Sequence, residues 1–365
     1  MGLETHVFAW REGNVVEDIA DYFYPISILE KEKILQVCQK VNVDGITSIA
    51  SDIAMPTVNY VAHEMGLIGN SLETALISTD KFEMRKALSN GGAPCPKFEF
   101  YSQPNFVDDG RFTFPVIVKP TDRSGSRGVT KVNSPNEVNK ALKKALDISL
   151  ANRAIVEEFI EGREFSVEMI SYRGKHYPLA ITDKVTTGSP YFVETEHHQP
   201  ADISKKVREN INQSVVTALE LLKIENGASH SEVFLLDNGA IRIVEIAGRM
   251  GGELIGSHMV ILSTGYDFVK GVIEVALGEF KRPQVSQNVY SGVYYVLPPA
   301  GKIKTIHNQA NNHEYVKEAV AIFKVGDTVD EIIDGAGKRA GIIVYAHPFE
   351  RVKLNPNEVI KFEIE

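Results

Sequence analysis

HSEVFLLDNGAIRIVEIAGRMGG, residues His230–Gly252, reads as a β-hairpin that runs into an arginine–glycine segment. Asn238–Gly239, between Asp237 and Ala240, is the pair that favours a two-residue type I′ loop. Counting back from that loop sets Leu236 against Ile241, Phe234 against Ile243 and Glu232 against Glu245. Directly opposed side chains have Cβ atoms about 4.5–5.5 Å apart, and like charges there repel. A divalent cation would remove the conflict, and Mg²⁺ takes carboxylate oxygens while keeping phosphates as further ligands. One protonated glutamate, or a register slip that turns one carboxylate to solvent, would remove it as well. Arg249 lies four residues beyond Glu245 and is followed by Gly251 and Gly252, where backbone can approach a ligand closely. A guanidinium beside paired carboxylates suits an anionic ligand; a lone arginine serves equally in a structural ion pair.

Upstream, FPVIVKPTDRSGSRGV (Phe114–Val129) reads as a buried strand ending in Lys119 and leading into a Ser/Gly loop. Backbone N–H groups, hydroxyls and Arg127 in Ser124–Gly128 suit a phosphate, with an ordinary surface turn as the alternative. It is not a Walker A loop, because no Gly-Lys-Ser/Thr follows. AIVEEFIEGREFSVE (Ala154–Glu168) mixes acidic residues with Ile155, Val156, Phe159, Phe165 and Val167. It reads as a solvated charged edge, or as a linker whose backbone meets a nucleobase while a carboxylate holds ribose hydroxyls.

Punctuation places the other elements. Ser78–Asp80 caps a helix from Lys81 to about Asn90, and Ser134–Glu137 is a capping box opening a helix to about Leu150. Ser204 caps a third, with Val207, Ile211, Val215 and Leu219 on one stripe. Strands are expected at Val116–Lys119, Ala154–Phe159, Phe165–Ser171 and Leu179–Asp183, and beyond Pro283 at Val289–Leu297, Ala319–Phe323 and Gly341–His347. Near the N-terminus, Thr5–Ala9 and Gly45–Ile49 read as parallel strands around a helix carrying Ile34, Leu35 and Cys38. A Gly-rich first βα unit would normally precede them, so that unit is missing or the domain is reduced.

A chain of 365 residues allows two or three domains, and 43% hydrophobic with 24% charged residues is globular composition. A net charge of −9 with no basic block argues against wrapping nucleic acid or lying on an anionic membrane. Runs such as Ser291–Ala300 are too short to span a bilayer, Met1–Trp10 lacks the pattern of a signal peptide, and Cys38 and Cys95 cannot build a disulfide framework. A soluble, cytoplasmic protein is expected.

From about Thr79 to Gly278 the order of these motifs resembles the ATP-grasp superfamily, in particular its carbamoyl phosphate synthase, biotin carboxylase and L-amino acid ligase group. The resemblance implies an α/β fold: an N-terminal parallel α/β domain (1–75), an ATP-grasp core (76–283) with a mobile lid at about 113–186, and a β-rich C-terminal segment (284–365). It implies that Lys81 and Lys119 contact nucleotide phosphates under a loop holding Ser124, Ser126 and Arg127. Glu157, Glu158, Phe159 and Ile160 would form the adenine linker, Glu164 would hold ribose, and Phe234 would lie beneath the base. Glu232 and Glu245 would bind Mg²⁺, with Mn²⁺ as a substitute, and Arg249 would steady an acyl phosphate. Lys184 is a further phosphate candidate. In Tyr191–Gln199, read as a surface or substrate loop, His198 or Glu194 would orient the acceptor. Asparagine often stands two residues after the second glutamate in this family; here it is Ala247. The implied reaction is ATP-dependent ligation of a small carboxylate to an amine or thiol, with a phosphotransferase or a non-catalytic ATP-binding module as alternatives and a homodimer left open.

Overall fold

The computed structural model describes residues 1–188, 193–332 and 337–365. Its centre is an antiparallel sheet of eight strands, in the order Ile241–Ala247, Gly227–Leu235, Arg163–Tyr172, Lys175–Thr186, Glu194–Gln199, Tyr290–Val296, Gly341–His347 and Val316–Ala321. Alternation along these strands gives the sheet two different faces. Phe165, Val167, Val233 and Ile243 point to one of them and bury Ile211, Val215, Ala218 and Leu219 of helix Lys205–Leu221, which Ser204 caps at Val207 N–H. Met84 and Leu88 of helix Lys81–Asn90 join the same core, and Asp80 caps that helix. Glu164, Glu232 and Lys184 lie on the opposite face, free to build a site.

A second antiparallel sheet has the order Phe98–Tyr101, Ala154–Glu158, Val116–Pro120 and Thr130–Val132. Val116, Val118, Val132, Ala154 and Val156 bury the apolar stripe of helix Pro135–Ile148, which leaves Ile117, Lys119, Ile155 and Glu157 on the other side. Ser134 donates its hydroxyl to Glu137 at 3.1 Å but accepts no helix N–H, so the two side chains of the expected capping box bond each other in place of the backbone.

Long-range pairing departs from expectation in several places. Arg163–Tyr172 and Lys175–Thr186 belong to the large sheet, so the small-sheet module spans 98–158 and not 113–186. The C-terminal segment is not a separate body either: Tyr290–Val296 pairs with Glu194–Gln199 and carries two more strands into the large sheet. Among the described residues of this segment, Gly301–Asn308, Thr328–Val329 and Ile360–Ile364 form a sheet of their own. At the N-terminus His6–Phe8 pairs in parallel with Tyr22–Tyr24, and Lys31–Val41 is helical. Gly45–Ile49 is no strand; Ile49 accepts Met250 N–H at 3.0 Å, and a Cβ on Gly45 would sit 2.8 Å from Ala276 O. Among the described residues no helix is long and apolar enough to cross a membrane.

The hairpin reaches its expected pairing by an unexpected route. Leu236 N–H donates to Ala240 O at 2.9 Å and Gly239 N–H to Leu236 O at 2.8 Å, enclosing a three-residue loop, Asp237–Gly239, with Gly239 at φ 81°. Leu235 therefore faces Ile241 and Phe234 faces Arg242, not Ile243. A β-bulge then adds Val244 to one strand and restores Glu232 opposite Glu245. Because the loop needs a left-handed residue, Gly239→Ala should cost about 1–2 kcal/mol. Urea unfolding would show this as a lower midpoint at unchanged slope.

Candidate functional site

Glu232 and Glu245 share a face at the edge of the large sheet, and each has its own lysine. Lys81, from the first turn of its helix, donates to Glu245 Oε1 at 2.9 Å and to Arg123 O at 2.7 Å. Lys184, from the strand beyond Glu164, donates to Glu164 Oε1 at 2.6 Å and Glu232 Oε1 at 2.9 Å, with Glu194 3.6 Å away. Burial opposes the charge on Lys184, but these three carboxylates outweigh it and raise its pKa well above the usual value. Burial likewise pushes Glu232 up, yet Lys184 and His230 hold its carboxyl well below the ordinary range. Glu164 goes the other way, raised by burial despite Lys184. The repulsion expected of the glutamate pair is thus already relieved by lysines.

The small sheet supplies the facing wall. Lys119 Nζ lies 2.6 Å from Glu157 Oε2, and Arg85 Nε lies 2.6 Å from Glu157 Oε1; all three side chains are buried. Burial lowers the Lys119 pKa, partly offset by Glu157. Glu157 is therefore not free to meet a base. Glu158 N–H and Oε2 bind the Lys97 backbone at 2.9 and 3.2 Å, Lys131 stands over the Phe159 ring at 3.7 Å, and Ile160 is buried. Phe234 is half-buried opposite Glu164. Ser124–Gly128 folds on itself, with Arg127 Nε donating to Ser124 O at 3.0 Å and Ser126 at φ 55°. A separate surface cleft of about 560 Å³, lined by Cys95, Lys97, Arg111 and Arg242 among others, shares none of the paired glutamates or lysines.

At the end of the hairpin Arg249 forms two bonds to Asp52, Nε–Oδ1 at 2.8 Å and Nη2–Oδ2 at 2.7 Å. Beside it, buried Glu168 accepts Gly251 N–H at 2.9 Å and pairs with His230 Nδ1. A Cβ on Gly251 would lie 2.6 Å from Glu168 and 2.8 Å from His230, so this glycine is required by close approach. Glu194–Gln199 is a strand, which corrects the loop assignment; Tyr191 lies outside the described residues. Strand alternation then decides between the histidines. His198 pairs with Asp183 and turns away from the site to Tyr345 Oη at 2.9 Å, whereas His197 pairs with Lys184 and faces the site, 3.1 Å from Glu253 Oε2. Glu194 lies on Lys184 and, at 3.2 Å, on Arg339. Asp52, His197, Glu253 and Arg85 escaped the sequence reading; His197 is set by its cross-strand pairing with Lys184, and nothing local marks any of the four.

Residues 112–257 match the family model of the ATP-grasp domain. The chain carries an ATP-grasp domain. Alanine–anticapsin ligase of Bacillus subtilis (strain 168) is 26% identical over 281 residues, covering 66% of this chain and 58% of the relative. The chain thus spans little more than half the length of that curated relative. The L-amino acid ligase from Bacillus licheniformis superposes with a TM-score of 0.85 at 21% identity over 100% of this chain and 93% of that one. The biotin carboxylase domain of the Hydrogenobacter thermophilus 2-oxoglutarate carboxylase, a complex with MgADP and bicarbonate, gives a TM-score of 0.73 at 18% identity, covering 95% and 82%. These likenesses establish the fold.

Two expectations follow for the ATP-grasp site. Since Glu245 is paired with buried Lys81, Glu245→Gln should lower ligand-free stability by roughly 1–3 kcal/mol, where relief of bare repulsion would have raised it. Chemical denaturation of the two forms without metal or nucleotide decides the sign. For His230, burial alone would push the pKa down, but Glu168 lifts it from the ordinary 6.5 to about 9. Its charge therefore stabilises fully below about pH 6.5 and is lost as pH rises through about 9. The stability gap between wild type and His230→Gln should narrow across that window; a constant gap would show that His230 carries no proton there.

Proposed function

We propose that the protein is an ATP- and Mg²⁺-dependent ligase that joins a small carboxylate to an amine through an acyl phosphate. The observation that carries this reading is Glu232 and Glu245 on one face, each bonded to its own lysine, Lys184 and Lys81, with Lys119 on the small sheet and Arg249 at the end of the same hairpin. Magnesium fits this donor set. Among the described residues no cluster of three or more acidic, His or Cys side chains could hold a metal alone, and Ala247 offers no ligand. Glu232 and Glu245 would hold it together with phosphate and water oxygens, the usual coordination of a magnesium–nucleotide site. When bound, the metal neutralises phosphate charge.

The protein's own groups do the positioning. Lys81, Lys119, Lys184 and Arg85 stand against Glu157, Glu164, Glu232 and Glu245, formally neutral together. Lys119 can turn from Glu157 to a phosphate oxygen because Arg85 stays on Glu157, and Lys81 could turn from Glu245 if a metal were held there, so no carboxylate would be left unpaired. Glu164 serves the ribose, and Phe234 with the linker Glu158–Ile160 serves the base. A substrate carboxylate oxygen then attacks the γ-phosphorus, the bond to the bridging oxygen breaks, and ADP leaves. The amine nitrogen attacks the acyl carbon, inorganic phosphate departs, and the amine proton is lost to a base. Arg249, held at one edge by Asp52, faces the charge that develops on the acyl phosphate. Glu194 and His197, on the face of Lys184, are placed for the amine; His198 is not.

The test is ADP release screened over amino acids and small carboxylic acids, with mass spectrometry of the products. Acceptor-dependent ADP together with a new amide supports the reading. A phosphorylated acceptor without amide makes the protein a phosphotransferase, and no ADP with any pair removes the ligase altogether. Lys119→Ala should weaken MgATP binding by roughly 3 kcal/mol, about a hundredfold, by removing a desolvated counter-charge. Calorimetry that shows an unchanged dissociation constant would dispose of its role.

A further inference from the structure

Arg85 sits one helical turn beyond Lys81, on the same side of its helix, and is 0% exposed. A fully buried guanidinium is rare unless its partners are fixed. One partner is Glu157, 2.6 Å from Nε; the other is the main chain of Val244, whose carbonyl accepts from Nη2. Val244 is the residue that the bulge adds. Its strand is the outermost of the large sheet, so the outward carbonyl has no neighbouring strand to bond it. A bulge carbonyl buried without a donor would be costly, and Arg85 is that donor.

The bulge matters because of what the register would otherwise be. From the loop inward the pairs are Leu235–Ile241, Phe234–Arg242 and Val233–Ile243. Continued without interruption, that register sets Glu232 against Val244 and sends Glu245 to the helix-covered face. With Val244 set aside, Glu245 returns to the face of Glu232. The same guanidinium also shares Glu157 with Lys119, so the three side chains keep one net positive charge. Without Arg85, Glu157 would pair with Lys119 alone and neutralise it.

We propose that Arg85 is a positioning residue for the magnesium–nucleotide site: through Val244 it holds Glu245 in register with Glu232, and beside Glu157 it keeps the Arg85–Glu157–Lys119 set net positive for phosphate. It touches neither metal nor nucleotide, and the proposal rests on the MgATP reading above. Arg85→Lys keeps the charge but not the planar fork that reaches two acceptors in different directions. Arg85→Met removes both functions.

Calorimetric titration of ATP at a series of Mg²⁺ concentrations, on full-length wild type and both variants, reads the effect directly. The melting temperature without ligand is the control for folding. Wild type that binds no MgATP would fail the functional reading itself. With wild-type binding in hand, the magnesium concentration for half-maximal ATP binding should rise at least tenfold in Arg85→Lys, the usual scale for a group that orients a metal ligand. Metal-free ATP binding should weaken in Arg85→Met more than in Arg85→Lys, because only the methionine leaves Lys119 to be neutralised by Glu157. A purely structural arginine would lower the melting temperature and leave the magnesium dependence of the folded protein as in wild type, which overturns the proposal. Should Arg85→Met not fold, Glu157→Gln replaces it. That variant keeps the bond to Val244, so its magnesium dependence should match wild type, and a tenfold rise there would also overturn the assignment.

Discussion

Two carboxylates held face to face on a β-hairpin are an electrostatic problem, and much of this molecule is arranged around its solution. Glu232 and Glu245 are drawn apart by lysines from opposite directions, Lys184 from within the large sheet and Lys81 from a helix outside it. Neither pairing is local in sequence, so the helix, the hairpin and the third and fourth strands of the sheet must all be in place before the charges are satisfied. An unpaired buried charge costs far more than a surface one, which makes the cleft a point where misassembly is penalised. The small sheet follows the same logic, with Glu157 shared between Arg85 and Lys119. In the absence of ligand the cleft is a closed set of ion pairs, each of which a metal or phosphate can reopen.

The hairpin shows how much of this was legible in the sequence. The opposition of Glu232 and Glu245 was read from the Asn-Gly turn, yet the turn is a three-residue loop and the strand beyond it carries a bulge. Each departure shifts the register by one residue, and the two cancel at the glutamates while leaving Phe234 opposite Arg242. Asp-Asn-Gly suits either loop, and a bulge leaves no mark in hydrophobic periodicity because Val244 is as apolar as a paired residue would be. What exposed the pair was its charge, and what stabilises it was out of reach because Arg85 looks like any polar helix position.

Local punctuation read well elsewhere. The helices beginning at Lys81 and Lys205 start as expected, since capping and apolar stripes are properties of adjacent residues. Pairing partners were not legible. Gly45–Ile49 is β-branched and apolar but finds a helix and the Met250 backbone where a strand was expected, and the C-terminal strands join the large sheet through Glu194–Gln199. As a loop, YFVETEHHQ offers nothing that separates His198 from His197. Once that segment is a strand, the pleat separates them.

The extension of the large sheet explains a local strain near the site. Glu253 and Leu254 both have positive φ, 52° and 67°, and a π-helical turn, Ile255–Met259, follows. Two successive left-handed non-glycine residues are costly and persist only where surroundings over-determine them. The C-terminal part supplies those surroundings: Tyr295 donates its hydroxyl to Glu253 O at 2.9 Å, and Arg339 lies 3.3 Å from Glu253 Oε1. His197 closes the set from the adjoining strand. Glu253, directly after Gly252, thereby projects toward His197 on the face that carries Lys184. The β-rich tail is in this sense part of the site's wall: remove the Tyr290–Val296 strand and the strained turn loses the Tyr295 hydroxyl that holds the Glu253 carbonyl.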